Sequence, residues 1–246
     1  SKALQLAKIT ADTKAEGGLV IVKNGQPTGV LIDRAQQLVK TLNPTPTKEE
    51  ITSRLLKAQQ VCFQYGLTNV GDAGVELDLI DHIDSLQKAG TLKIRLYPMV
   101  RVGQENIDKM IKKGVYVTDR LNLRSFKIYA DGALGSRGAC LLKPYSDSPE
   151  TTGFLLYSPV ELEKWISQLA NTELQANTHC IGDSANRLML NLYAKYLKGK
   201  NNRRWRIEHA QIVDAADVAK FGEYNILPSA QPTHATSDMY WAGQRV

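Results

Sequence analysis

Two histidines and a lysine carry most of the chemistry legible in this sequence. His179 lies in LQANTHCIGD and His209 in RWRIEHAQ, each near the end of an apolar run and each followed by loop-forming residues. They stand 30 residues apart, about one strand–helix unit when a barrel of about 250 residues holds eight. Imidazoles at neighbouring strand ends can meet at one metal ion, which asks for nitrogen ligands at about 2 Å. The same pattern suits two core histidines whose ring N–H groups bond backbone carbonyls, and spacing alone leaves both readings open. Lys127, inside FKIYADG, is costly to bury as a free ammonium. One remedy is an ion pair with Asp131 or Asp72. The other is carboxylation of the amine by carbon dioxide, which removes its charge and offers two oxygens to a pair of cations. Two metals about 3.5–4 Å apart share a hydroxide, a nucleophile for hydrolysis. His82, mid-helix in LIDHIDSL among surface-type aspartates, reads as solvent-facing.

These residues need elements to position them. Residues 17–32 read as a β-hairpin around Asn24-Gly25, a type I′ turn signal. A helix follows to about Leu42, and the two prolines of NPTPT break it. Thr47 and Glu50 form a capping box for a helix that ends at Gly66. From there the chain alternates. Strands are predicted at residues 67–74, 94–100, 124–132, 174–183, 204–211 and 226–234. Helices are predicted at 75–89, 104–113, 159–171, 184–197 and 214–222. Strands alternating with helices imply parallel βαβ units. VGDAG after the first strand is not the glycine fingerprint of a doubly wound nucleotide-binding sheet. Asp72, Lys127, Asp131, His179, Asp183, His209, Gln211, Gln231 and His234 recur at the C-terminal ends of strands, where barrel enzymes keep their reactive groups. The expected fold is an α/β chain forming an incomplete TIM (β/α)8-type barrel, about six of eight units over residues 47–246. A small hairpin-and-helix segment flanks it over residues 1–46. On this reading the sequence is an internal piece of a longer protein.

Composition narrows the class. The 246 residues are 43% hydrophobic and 23% charged, ordinary for a globular protein. No run of about 18 apolar residues suggests a membrane span, and the first residues lack a signal-peptide core. The net charge of +6 comes from dispersed Lys and Arg. The one dense basic run, KGKNNRRWR at 198–206, reads as a solvated loop rather than a nucleic-acid site. Cys62, Cys140 and Cys180 are odd in number and widely spaced, which favours a reducing compartment and a cytoplasmic location. Neither nucleic acid nor membrane is expected as a partner. The outer strands, near 67–74 and 226–234, would leave edges that invite self-association.

Four segments in order resemble one family: FKIYADGALGSRGACLLKPYSD, NTHCIGDSANRLML, RIEHAQIV and SAQPTHATSDMYW. They are similar to amidohydrolase family 3, the YtcJ-like group of the amidohydrolase superfamily, which includes N-substituted formamide deformylases. The resemblance runs from Ser1 to Val246. It implies a distorted TIM barrel with a small β-rich domain and a divalent metal centre, usually zinc, of one or two ions. It implies Lys127, open to carboxylation, as the fourth-strand ligand, His179 as the fifth and His209 as the sixth. Asp131 and Arg137, in the ADGALGSRG loop, and Gln231 and His234, at the seventh-strand end, are implied substrate contacts. For Asp131 and Arg137 a structural turn is an equal alternative, and for Gln231 and His234 support of the ligands is. The family's HxH pair on the first strand and its Asp on the eighth, both ligand and general base, have no counterpart here. Cys180 stands where the family often has Ala, and alternation turns it away from the His179 face.

The implied activity is hydrolysis of a C–N bond in a small amide-like, non-peptide substrate. These 246 residues alone are expected to be inactive. A barrel that binds or regulates without metal, and a deaminase of a nucleobase-like ring, are the alternatives.

Overall fold

The computed structural model describes residues 2–246. A short helix, α1 (Lys2–Leu6), precedes the antiparallel hairpin of β1 (Gly18–Lys23) and β2 (Gln26–Asp33). Asn24 and Gly25 have φ of 52° and 72°, the left-handed pair that a type I′ turn requires. The one-turn helix α2 (Gln37–Lys40) follows, then α3 (Lys48–Gln64). Its capping box is made as predicted: the Glu50 N–H donates to Thr47 Oγ1 at 3.2 Å and the Thr47 N–H to the Glu50 carboxylate at 2.9 Å.

The alternating part comprises β3 (Asn69–Val75), α4 (Leu77–Lys88), β4 (Arg95–Arg101), α5 (Gln104–Lys113), β5 (Tyr116–Val117), β6 (Asn122–Leu123) and β7 (Ser125–Tyr129). It continues through α6 (Pro159–Ala170), β8 (Gln175–Cys180), α7 (Asp183–Leu197), β9 (Arg206–His209), α8 (Val218–Glu223), β10 (Leu227–Ser229) and α9 (Thr233–Ser237). Six strands form one parallel sheet in the order β3-β4-β7-β8-β9-β10. Spatial order follows chain order without reversal. A doubly wound sheet reverses at its switch point, so this is a curled section of a (β/α)8-type barrel, as the sequence predicted.

Alternation along each strand builds two faces. On the convex side Leu96, Val100, Phe126, Ile128, Ala176 and Ile207 join the helices in one core, against Ile83, Ile107, Leu162, Ile166 and Leu190. The concave side carries the other residues of each strand. Arg101 pairs in register with Lys127, Lys127 with Asn177, and Asn177 with Arg206, a polar row running across four strands. The hairpin reaches the barrel through Arg34, whose Nη1 donates to the Leu156 carbonyl at 2.8 Å while its guanidinium lies over the Tyr157 ring.

Four local expectations change. The last strand covers Leu227–Ser229 only, and His234 lies in α9 rather than at a strand end. Pro232 has no N–H to extend the ladder. The β5–β6 pair has two residues a side, too short to show a period. The basic run is not simply a solvated loop. The Arg203 guanidinium donates to the carbonyls of Leu169 and Ala170 at the end of α6, and Trp205 is fully buried. His82 on α4 is tied to α3, its Nε2 lying 2.8 Å from Thr52 Oγ1.

Gly182, between β8 and α7, marks a close approach: a Cβ there would lie 2.0 Å from the Cys140 carbonyl oxygen. Gly182→Ala is expected to lower stability by about 1–3 kcal/mol through overpacking. It should appear as a lower urea midpoint at unchanged m-value; an unmoved midpoint would contradict the contact.

Candidate active site

At the C-terminal end of the sheet, Tyr129 pairs in register with His179, and His179 with Glu208. In a parallel sheet partners in register share a face, so these residues join Lys127 on the concave side. His209 pairs with Cys180, which is wholly buried in the convex core. Plain alternation would send His209 there too. Instead His209 and Ala210 have φ of 74° and 44°, a left-handed turn that swings the imidazole inward. Its ring centroid lies 4.6 Å from that of His179, the planes at 71°. Left-handed backbone on a non-glycine residue costs of order 1–3 kcal/mol, and such strain gathers at functional sites.

Hydrogen bonds set the tautomer of each ring. His179 Nε2 lies 3.3 Å from the Gly132 carbonyl oxygen, which only accepts, so Nε2 carries the proton and Nδ1 keeps a lone pair. His209 Nδ1 bonds the side-chain carbonyl oxygen of Gln231, so Nδ1 is protonated and the lone pair is on Nε2. An orienting acceptor behind each imidazole is the arrangement typical of metal-ligating histidine. Burial pushes the His179 pKa down to about 3, with the Lys127 charge acting the same way. Burial lowers that of His209 as well. Neutral imidazole is the form that binds a cation. His234 stacks on the far side of His209, centroids 5.9 Å apart and planes 22° apart.

Lys127 is 4% exposed. The ion pair with Asp131 or Asp72, one of the two remedies the sequence left open, is not formed, and among the described residues its Nζ has no hydrogen-bond partner. It lies 4.8 Å from the centre of the Tyr129 ring. Burial draws its pKa down to about 8, against an opposing pull from Glu208.

Asp131 has a structural task. It is fully buried, and its carboxylate accepts the N–H groups of Cys140 at 2.9 Å, Ile181 at 2.9 Å and Gly182 at 2.8 Å. Its Oδ1 is 3.7 Å from His179 Nε2. Asp131 thus clamps the β7 loop to the end of β8, in keeping with the structural alternative weighed for this loop. Burial raises its pKa to about 7, although the three N–H donors pull the other way. Arg137 is likewise engaged, its Nε and Nη2 donating to the Asp147 carboxylate at 3.1 and 2.7 Å. Asp33 of the hairpin sets its carboxylate against Gly132 and Gly138, where a Cβ on either would lie 2.3 Å from Oδ2.

The structure thus gathers Lys127, His179, His209, Gln231 and His234, and turns Asp131 and Arg137 to holding the loop. Tyr129 and Glu208 complete the concave cluster and were not singled out from the sequence. Alternation from Lys127 and His179 was the signal available for both. A cavity of about 820 Å³ opens at the opposite end of the strands, lined by Tyr97, Arg124, Gln175 and Arg206 among others, so void volume does not mark the cluster.

Among the described residues no group of three or more His, Cys, Asp or Glu is placed to hold a metal ion. The donor set here is two imidazole lone pairs beside a buried amine. That chemistry fits a divalent cation, because each imidazole is locked in a ligating tautomer and the amine is not tied up in an ion pair.

A curled parallel sheet in chain order, with two oriented histidines and a buried lysine at its C-terminal end, is a section of a (β/α)8-type barrel. The chain belongs to the amidohydrolase family, matching it over residues 1–246. It is 32% identical over 253 residues to YtcJ of Bacillus subtilis (strain 168), covering 100% of this chain and 47% of that protein. It is 30% identical over 255 residues to the protein LONG AFTER FAR-RED 3 of Arabidopsis thaliana, covering 97% of this chain and 44% of the relative. The chain therefore spans just under half the length of these relatives. The crystal structure of an uncharacterized metal-dependent hydrolase from Pyrococcus horikoshii OT3 superposes with a TM-score of 0.79 at 25% identity, over 100% of this chain and 48% of that one.

The lowered His179 pKa has a thermodynamic sign. The unfolded chain takes up a proton below about 6.5, whereas the folded site resists it down to about 3. Stability present above pH 6.5 is thus lost as the pH falls through that window, by up to about 1.4 kcal/mol per unit. In metal-free protein, urea unfolding between about pH 7 and 4 should show a steeper loss for wild type than for His179→Asn. Equal slopes would contradict a neutral buried imidazole.

Proposed function

We propose that these residues form the middle of the metal-binding wall of a hydrolase that cleaves C–N bonds in small amide-like, non-peptide substrates. The complete enzyme would have a length like that of the relatives. The observation that carries this reading is the pair of complementary tautomers, His179 offering Nδ1 and His209 offering Nε2 beside Lys127. Zinc is the ion of choice, since imidazole nitrogen suits it and it accepts open coordination positions. Lys127 completes the set as a neutral amine or as its carboxylated form. When bound, a divalent cation lowers the pKa of water and polarises a carbonyl.

The chain's own residues supply the rest. Gly132 and Gln231 hold the two rings so that neither can turn its N–H toward the cation. Asp131 fixes the loop that carries Gly132. His234, stacked on His209, lines the substrate side, where an imidazole can hold a proton near the leaving nitrogen. The convex core closes the far side of the sheet to water.

Zinc titration followed by metal analysis tests the assignment. His179→Ala and His209→Ala should each abolish stoichiometric binding. Gln231→Ala, which removes only the acceptor behind His209, should weaken it by about 10–100-fold. The complete polypeptide should hydrolyse N-substituted formamides or acyl amino acids, and the 246-residue chain alone should not. A complete, folded polypeptide that holds no metal would sink the proposal in favour of a non-catalytic barrel.

A further inference from the structure

Tyr129 ends β7 on the face of Lys127 and pairs in register with His179. Its ring lies 5.7 Å from the His179 ring, centroid to centroid, and covers the Lys127 amine. The hydroxyl extends past both toward β3. There the ladder with β4 is irregular between Ala73 and Val75, and Gly74 has a φ of 94°. A Cβ on Gly74 would stand 2.9 Å from the Tyr129 hydroxyl oxygen. Bulges beside active sites commonly re-aim or clear a position, and this one clears the space the hydroxyl occupies. Arg101 pins the bulge by donating to the Gly74 carbonyl at 3.3 Å and to Glu76 at 2.6 Å.

The hydroxyl has no hydrogen-bond partner among the described residues. Tyr145, Tyr193 and Tyr116 each place theirs against a partner, Ala139, Thr178 and Asp84 respectively, at 2.7, 2.7 and 3.0 Å. The half-buried Tyr157 and Tyr224 hydroxyls are also without a partner among the described residues. What sets Tyr129 apart is its place beside the His179 ring and the Lys127 amine, where its hydroxyl is free to donate to a molecule that arrives there.

We propose that Tyr129 is a catalytic residue that donates a hydrogen bond to the carbonyl oxygen of the substrate, in a space that glycine at position 74 keeps open. This rests on the hydrolase reading above. As the oxygen of water bonds to the carbonyl carbon, the π pair moves onto the carbonyl oxygen. The Tyr129 O–H hydrogen bond to that oxygen shortens, with the hydrogen remaining on the phenol. When the pair returns, the C–N bond breaks and nitrogen leaves with the proton given up by the attacking water. An acid and an amine result. A donor aimed at an oxygen that gains charge favours the transition state over the ground state, so its loss falls on kcat.

The test compares zinc-loaded complete polypeptide with its Tyr129→Phe variant, using N-benzylformamide as substrate. A phosphonamidate, whose tetrahedral phosphorus replaces the amide carbon, serves as binding probe. Phe keeps the ring over Lys127 and His179 and removes one oxygen. The expected result is a fall in kcat of about 10²-fold with a small change in KM, and a parallel loss of phosphonamidate affinity. Zinc content should not change. Gly74→Ala, which intrudes on the hydroxyl, should lower kcat in the same direction. Unchanged kcat and probe affinity in an active Tyr129→Phe enzyme would overturn the inference while leaving the hydrolase reading intact. Loss of zinc together with kcat would also overturn it, because the ring would then be structural. Wild-type polypeptide that binds zinc yet cleaves no amide overturns the hydrolase reading, and the role of Tyr129 falls with it.

Discussion

The Asp131 carboxylate accepts the backbone N–H groups of Cys140, Ile181 and Gly182, and much of the site's geometry follows from those bonds. Two donors come from the turn after β8 and one from the first half of the loop after β7. A single buried carboxyl group therefore ties together two segments that sequence separates by about 40 residues. Gly132, the next residue, presents its carbonyl to His179 Nε2. The clamp, with the Gly132 N–H bond to the Gly138 carbonyl, holds that carbonyl in place behind the ring. Leaving three buried N–H groups without an acceptor would cost about 1–3 kcal/mol each. The carboxylate thus supports the fold and the chemistry by the same contacts.

The left-handed turn at His209 and Ala210 shows the opposite balance. Nothing in the convex core needs it, since Ile207 already fills the place on that face. The strain moves one imidazole from the helix side of the sheet to the concave side. The Gln231 contact on the ring and the stacking of His234 provide part of the compensation. Strain opposed by contacts made only in the strained position is a common mark of a functional constraint.

Much of this architecture was legible in the residues. The hairpin turn at Asn24-Gly25, the Thr47–Glu50 capping box and the six parallel strands follow from local patterns of short range. The inward side of Lys127 and His179 follows from alternation. What escaped depends on partners far away in the chain or on departures from regularity. Alternation alone would have turned His209 outward, and only the backbone angles reverse it. Asp131 sits in a motif that suggests substrate contact, and its three N–H partners lie 9, 50 and 51 residues along. His82 looked solvated because Thr52, on another helix, is invisible to a local reading. Tyr129 shares the face of Lys127 by alternation, but an aromatic residue between Ile128 and Ala130 reads first as a packing residue.

The strand order, identical in space and in sequence, also bears on how such a molecule comes together. Each strand of the sheet is completed by the next segment of chain, so no pairing has to wait for a distant one. Loop-closure entropy rises only slowly with length, but contacts of long sequence separation still slow folding. A sheet wired this way can grow by adding one strand at an edge, each addition closing a loop of similar length. Neighbouring residues of the cluster are then brought together pair by pair, Lys127 with His179 when β7 meets β8, and His179 with His209 when β9 docks. The cluster of Lys127, His179 and His209 is complete once β9 has docked on β8.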